Sequence, residues 1–389
     1  MKSYKQLFSR ALAASPGRIH FAAHSHHLWP DASYGGHMQA WEDAATLADR
    51  KWDKIFGEVI PRAQANIATE LRLPDPNTIG FAPNTHELLM RLFSARKPGK
   101  LDVLTTDGEF HSFRRQAQRW EEQGWISRRV VPCEPFDTFG ERYLAAMREK
   151  QPDIAFLSHV MFRSGLRFDG VEELASYASP DGTWIALDLY HSFMAMPCDF
   201  SAVADRVFLL GGGYKYAMAG EGAGFIHAPP GYAERPSFTG WFADFGAMEK
   251  KQGEVAYSDD GGRFLGATYD STGLYRFNAV QAMLLEQALD TAAISARAAT
   301  LRTMMSEAIA DGEAGTTLRK AEVLHPNTSG HQARFLSLRH PDATSWKTSL
   351  MAANAITDAR DDILRIGFGL YQDQADVPAF CAAARQALG

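Results

Sequence analysis

Between residues 75 and 230 the chain alternates short apolar runs with stretches of helical period, and this alternation limits the possible folds more than any other feature. The runs are TIGFA (78–82), LDVLTT (101–106), WISRRVV (125–131), DIAFLS (153–158), WIALDL (184–189), RVFLLG (206–211) and GAGFIHA (222–228). Runs of this length, separated in most cases by enough chain for a crossover helix, read as strands of a doubly wound sheet. The expected class is α/β, with a mainly parallel seven-stranded sheet between layers of helices. The gaps between the last three runs hold no full helix, and Gly211, Gly212 and Gly213 open one of them. Loops therefore carry the chain there, and loops at strand ends are where functional groups gather.

Residues 231 to 274 are rich in glycine, aromatic residues and charge (GWFADFG, SDDGGRFLG) and read as a long irregular excursion. An amphipathic helix is expected from about Leu274 to Ile309. RFLSLR (334–339) follows as a strand, then a helix from Thr344 to Asn354, the strand ILRIGF (363–368) and a last helix. This is the pattern of a smaller α+β domain. A chain of 389 residues exceeds what one core usually serves. The expected division is an N-terminal segment (1–50) packed on the active site and small domain, a large domain (51–273) and a small one (274–389).

The composition excludes several partners. It is 46% hydrophobic and 22% charged with a net charge of -6, and Lys and Arg are scattered, so no basic surface for nucleic acid is present. No apolar run is long enough to span a membrane, and the first residues, MKSYKQLFSRALAASPGR, lack the apolar stretch of a secretion signal. Cys133, Cys198 and Cys381 form no CxxC or Cys/His pair, which argues against a disulfide framework or a zinc site. A cytoplasmic protein is expected. His24-Ser-His26-His27 invites a metal reading, but no carboxylate or cysteine accompanies it, and no metal is expected there.

The residues that carry chemistry lie at two predicted strand ends. Asp188-Leu-Tyr-His191 closes one, and Gly-Gly-Gly-Tyr214-Lys215-Tyr216 follows the next. Groups leaving neighbouring strand ends of an α/β sheet converge on one crevice, here a carboxylate, an imidazole and an amine. Pyridoxal 5'-phosphate (PLP) needs such a set, because a carboxylate keeps its ring nitrogen protonated and a lysine amine forms a Schiff base.

The pattern D-x-x-H, then Y-K-Y, then a glycine-rich return strand resembles the class V aminotransferase-like PLP enzymes of fold type I, and among them the kynureninases. The likeness runs from about residue 20 to 385. It implies that Lys215 is the Schiff-base lysine and general acid/base, that Asp188 binds the pyridine nitrogen, that His191 orients the ring and that Tyr214 bonds the phosphate. Asn84 and Thr85 open a helix after TIGFA, where free amides suit a phosphate. By the same resemblance Phe110 in GEFHS stacks on the ring, Ser158 lies beside the cofactor, and Thr272 in YDSTG reaches the phosphate of a neighbouring subunit. Arg365 in ILRIGF takes the substrate α-carboxylate with its planar fork. An unpaired guanidinium in so apolar a strand would otherwise be costly. A core role for Phe110 stays open.

The expected reaction is kynureninase-like: hydrolytic Cβ–Cγ cleavage of L-kynurenine or a related aryl or acyl amino acid. Tyr214-Lys215-Tyr216, Phe110 in place of a stacking histidine, and Trp241 as a wall for an aromatic substrate favour it, with His26 near the substrate. AAHSHHLWP at the N-terminus and Phe113 depart from the kynureninase pattern. An aminotransferase or another β-lyase is the alternative. Cysteine desulfurases are set aside, because NTSGHQARF offers no nucleophilic cysteine. A non-catalytic binding module would have lost Lys215, Asp188 or Arg365, and all three remain. The resemblance also implies a homodimer with shared active sites.

Overall fold

The computed structural model describes residues 1–96, 99–247, 255–325 and 333–389. Its strands, in chain order, are β1 (Ile19–His20), β2 (Ile79–Ala82), β3 (Leu101–Thr106), β4 (Ile126–Val131), β5 (Ile154–Ser158), β6 (Trp184–Asp188), β7 (Val207–Gly212), β8 (Gly224–His227), β9 (Glu322–Leu324), β10 (Phe335–Arg339), β11 (Ala355–Ile356), β12 (Asp358–Arg360) and β13 (Ile363–Gly367). All seven apolar runs between 75 and 230 form strands, and they join in the order β2-β8-β7-β6-β5-β3-β4. Every pairing is parallel except those of β8, which returns antiparallel between β2 and β7. That reversal follows from the short β7–β8 connection, which has no room for a crossover helix. Both faces of the central strands are covered, so β5, β7 and β8 are buried along their length, while the edge strand β4 is buried only at its two ends.

A second, antiparallel sheet, β12-β13-β10-β9, lies in the C-terminal part. The N-terminal segment ties into it: β1 pairs with β11, and Ala22 bridges Gly367. One apolar core lies under the large sheet and takes in Leu274, Phe277 and Leu284; another, from Ala298 onward, fills the space behind the small sheet.

The single helix expected over 274–309 is two helices, Thr272–Glu286 and Thr291–Ala310. Ala288 takes a left-handed backbone, and the Asp290 side chain then accepts the Ala293 amide (2.7 Å), capping a new helix. Leu-Asp-Thr was a legible start signal inside an otherwise continuous helical pattern. The excursion over 231–274 contains short 3-10 turns at Trp241–Ala247 and Gly261–Phe264, with its residues 248–254 outside the described part. Among the described residues no helix is long and apolar enough to cross a membrane.

Candidate active site

The C-terminal ends of β5, β6 and β7 open onto a cavity of about 360 Å³, closed on the far side by β12, β13 and the N-terminal segment. Asp188 is the last residue of β6 and stands opposite Ser158 of β5 in register. Its Oδ1 accepts the Tyr190 amide (2.8 Å), which turns the chain sharply and brings His191 back over the strand end. Gly212 permits this turn to pack, since a Cβ there would come within 2.4 Å of the Tyr190 hydroxyl.

Lys215 Nζ lies 2.5 Å from His191 Nε2, and 5.6 and 5.4 Å from the ring centres of Phe110 and Tyr190. Burial lowers the Lys215 pKa and the Asp188 charge opposes that shift; burial likewise raises Asp188. His191 is held neutral by burial and by the nearby Lys215. The other ring nitrogen of His191, Nδ1, has no partner among the described residues. At another edge, the helix Thr85–Ser94 points its first turn into the cavity, and Asn84 caps it by accepting the Glu87 amide (3.1 Å).

The opposite wall is ionic. Asp358 and Arg365 are cross-strand partners on β12 and β13. Asp358 Oδ1 accepts from Arg360 Nη1 (2.6 Å) and its Oδ2 from Arg365 Nη2, while Arg365 Nη1 donates to the Phe162 carbonyl. His24 Nε2 lies 3.7 Å from Asp358 Oδ2. Burial works against the Asp358 charge, but His24 and the two guanidiniums outweigh it and hold the carboxyl far below its usual range.

The cavity brings together Asn84, Thr85, Phe110, Ser158, Asp188, His191, Tyr214, Lys215 and Arg365. It does not include Thr272, Trp241 or His26. Thr272 bonds Asp270, Trp241 donates to Thr268 Oγ1 (3.0 Å), and His26 touches the site only through the Tyr214 hydroxyl (3.3 Å). The three clustered imidazoles diverge: His24 packs on Phe335, His27 on Tyr371 and His26 on Tyr214. Arg365 is not the unpaired guanidinium expected from its apolar strand, because Asp358 already neutralises it.

Sequence reasoning missed three groups. Asp358 and Arg360 share one face of β12 by strand alternation, a signal readable in DAR followed by ILR. Glu109 hides next to Phe110, where its carboxylate accepts from Thr106 Oγ1 (2.6 Å) and Ser158 Oγ (2.7 Å). Burial pushes its pKa up to about 7, with Asp188 adding to the shift.

A pyridine aldehyde bearing a phosphate fits this donor set: a buried amine for the aldehyde, a buried carboxylate for the ring nitrogen and helix-terminal amides for the phosphate. The fold is that of the fold type I PLP-dependent enzymes. No family model and no curated protein matches the sequence. Among solved structures, the cystine C-S lyase C-DES in complex with its product cysteine persulfide superposes with a TM-score of 0.80 at 16% identity, over 97% of this chain and 99% of that one. A C-DES variant with glycine covalently linked to the PLP cofactor gives 0.79 at 14% identity, over 97% and 98%. An apo cysteine desulfurase from Thermococcus onnurineus NA1 gives 0.77 at 17% identity, over 99% and 98%.

These likenesses overturn the expected kynureninase-like hydrolysis, and with it the setting aside of cysteine desulfurases. The physical reason lies in the same region: Trp241, meant to wall an aromatic substrate, is 43% exposed and not part of the cavity. NTSGHQARF, which lacks the cysteine, spans 327–335, and its residues 327–332 lie outside the described residues.

Proposed function

We propose that the chain is a PLP-dependent enzyme that breaks the Cβ–S bond of a sulfur-containing amino acid by elimination, with L-cystine as the substrate class of choice. The observation that carries this reading is the pair of guanidiniums on one carboxylate. Arg360 and Arg365 share Asp358, which leaves the wall one positive charge in excess, and the Nε of each arginine has no partner among the described residues. Such a wall suits a substrate with two carboxylates, one at the deep Arg365 and one at the more open Arg360. The likeness to a cystine C-S lyase supports the same direction.

When bound, the cofactor supplies an electron sink for the charge left at Cα. In this reading Asp188 holds the ring nitrogen, Asn84, Thr85 and Tyr214 hold the phosphate, Phe110 covers the ring, and Ser158 and His191 bound it. Lys215, pushed toward its uncharged form by burial, takes the Cα proton, and His191 fixes the amine's aim. The Cβ–S electron pair leaves with sulfur; with one water, cystine becomes pyruvate, ammonia and cysteine persulfide. Cys133, Cys198 and Cys381 are all buried and none lines the cavity, so the sulfur passes to solvent or an external acceptor. Thr272, outside this chain's cavity, is assigned to the phosphate of a partner subunit in a homodimer.

The test is to reconstitute the protein with PLP, confirm a yellow chromophore that borohydride reduces, and measure pyruvate from L-cystine. Arg360→Ala is expected to raise KM for L-cystine about tenfold, the equivalent of ~1.4 kcal/mol of lost pairing. A yellow protein that makes no pyruvate from cystine or cysteine overturns the reaction. One that cannot be made yellow overturns the cofactor as well.

A further inference from the structure

Two arginines of this chain are equally hidden from water yet differently partnered. Arg263, 3% exposed, donates to the carbonyls of Pro229, Tyr232, Ala233 and Asp260. Arg334, also 3% exposed, makes one such bond among the described residues, from Nη1 to the Met194 carbonyl (3.0 Å), and there its Nε and Nη2 have no partner. Among the described residues no carboxylate pairs with it, and the adjoining segment PNTSGHQ (326–332) contains no Asp or Glu. Burial pushes its pKa down only to about 10, so it stays charged at neutral pH. A buried charge without a counter-ion is the costliest arrangement a protein interior can hold.

Among the described residues, its surroundings add hydroxyls and an aromatic face but no negative charge. The guanidinium lies over the Tyr216 ring, 4.6 Å from its centre, a contact that satisfies none of its N–H groups. The hydroxyls of Tyr216 and Tyr371, which feel the Arg334 charge, are buried and also unpartnered. His27, edge-on to Tyr371 at 5.1 Å, leaves the surplus unchanged, since its Nδ1 is engaged by the Leu28 carbonyl (2.7 Å) and its Nε2 faces the Leu370 amide (3.4 Å). A water could bridge these hydroxyls, but it carries no charge to balance the guanidinium. An anion supplies that charge and accepts from the guanidinium and the hydroxyls together.

We propose that Arg334, Tyr216 and Tyr371 form a binding site for a small monovalent inorganic anion, chloride under cellular conditions. One guanidinium balances one negative charge, which disfavours divalent oxyanions. The site would brace the two walls of the cavity: Tyr216 directly follows Lys215, and Arg334 directly precedes Phe335, whose ring packs on His24 and His191. The proposal stands whether or not the cavity binds PLP.

The experiment uses the purified protein exchanged into sodium gluconate and titrated with sodium chloride or bromide at constant ionic strength. A saturable rise in Tm of about 2 °C in halide over gluconate is expected. Crystals grown with bromide should show an anomalous peak in contact with Arg334, and Arg334→Met should abolish the halide effect. If that variant does not fold, Tyr371→Phe, which removes one donor and little volume, should raise the half-saturating halide concentration severalfold. Coincident melting curves in halide and gluconate, bromide absent from the site, or a half-saturation unchanged in Tyr371→Phe would each overturn it.

Discussion

The wall of the cavity built by the large sheet holds its ionisable groups at the end of β6 and in the loops that leave β6 and β7, whereas the wall built by the small sheet crowds Asp358, Arg360 and Arg365 onto two adjacent strands. On the first wall the amine of Lys215 meets a neutral imidazole and is pushed toward its uncharged form by burial. On the second, opposite charges neutralise one another before any ligand arrives. The difference teaches where loss of function and loss of stability should separate. A group kept under a desolvation penalty can be removed without harming the fold, while a member of a buried ion network cannot.

The largest effect should come from the first wall. Lys215→Ala is expected to lower pyruvate formation from L-cystine by more than about 10³-fold, in line with loss of the group that moves the proton. Its Tm should stay close to that of the parent, because the amine removed was itself poorly solvated. Pyruvate assay and thermal melting on one preparation read both quantities, and a large drop in Tm would break the distinction between the walls.

Asp358→Asn probes the second wall. It leaves Arg365 buried, and the partly exposed Arg360 beside it, without their shared anion, and a loss of about 4 kcal/mol in denaturant unfolding is expected. An unfolding free energy within about 1 kcal/mol of the parent would mean that the network is already open to water. His24, 3.7 Å from Asp358, cannot replace the lost anion, since an imidazole offers no negative charge and burial keeps this one neutral.

This asymmetry also explains what could be read from the sequence. The large sheet announces itself through seven apolar runs, because strands covered on both faces must be apolar along their length. Its chemistry sits at the ends of those runs, where Asp188, His191 and Lys215 stand out against the apolar background. The second wall gives no such contrast. Asp358 and Arg360 lie in DARDDILR among other charges, and only the pairing of β12 with β13 shows which of them meet. Glu109 was hidden for the opposite reason, since a carboxyl beside Phe110 in a loop gives no sign that it is 1% exposed. The break between the two helices after Glu286 shows a third limit, where one capping side chain outweighs a continuous helical period.

Gly367→Ala sharpens the comparison through packing alone. A Cβ there would stand 2.1 Å from His24 Nδ1 and 3.0 Å from its Cγ. The imidazole is fully buried against Phe335, so it can yield only by moving toward Asp358. A loss of about 3 kcal/mol is expected, at the upper end for overpacking, accompanied by a rise in KM rather than a fall in kcat. Equal falls in both would place His24 in the chemistry instead.

The smallest effect concerns two carboxyls whose shifts run in opposite directions. Asp358 is depressed, so its contribution to stability is present above the ordinary aspartate pKa and is lost as pH falls toward its folded value. Glu109 is raised from 4.5 to about 7, so between those values the folded chain binds more protons than the unfolded one. Its contribution is therefore complete below pH 4.5 and declines as pH rises toward 7, levelling off above. Glu109→Gln removes that decline while keeping the shape of the group. Relative to the parent, the variant should gain about 2–3 kcal/mol as pH rises across this window, read from urea unfolding at a series of pH values. Parallel curves for the two proteins would show that Glu109 is ionised throughout, with Thr106 and Ser158 supplying all the stabilisation that burial takes away. In that case the first wall, like the second, would carry a permanently charged carboxylate behind it.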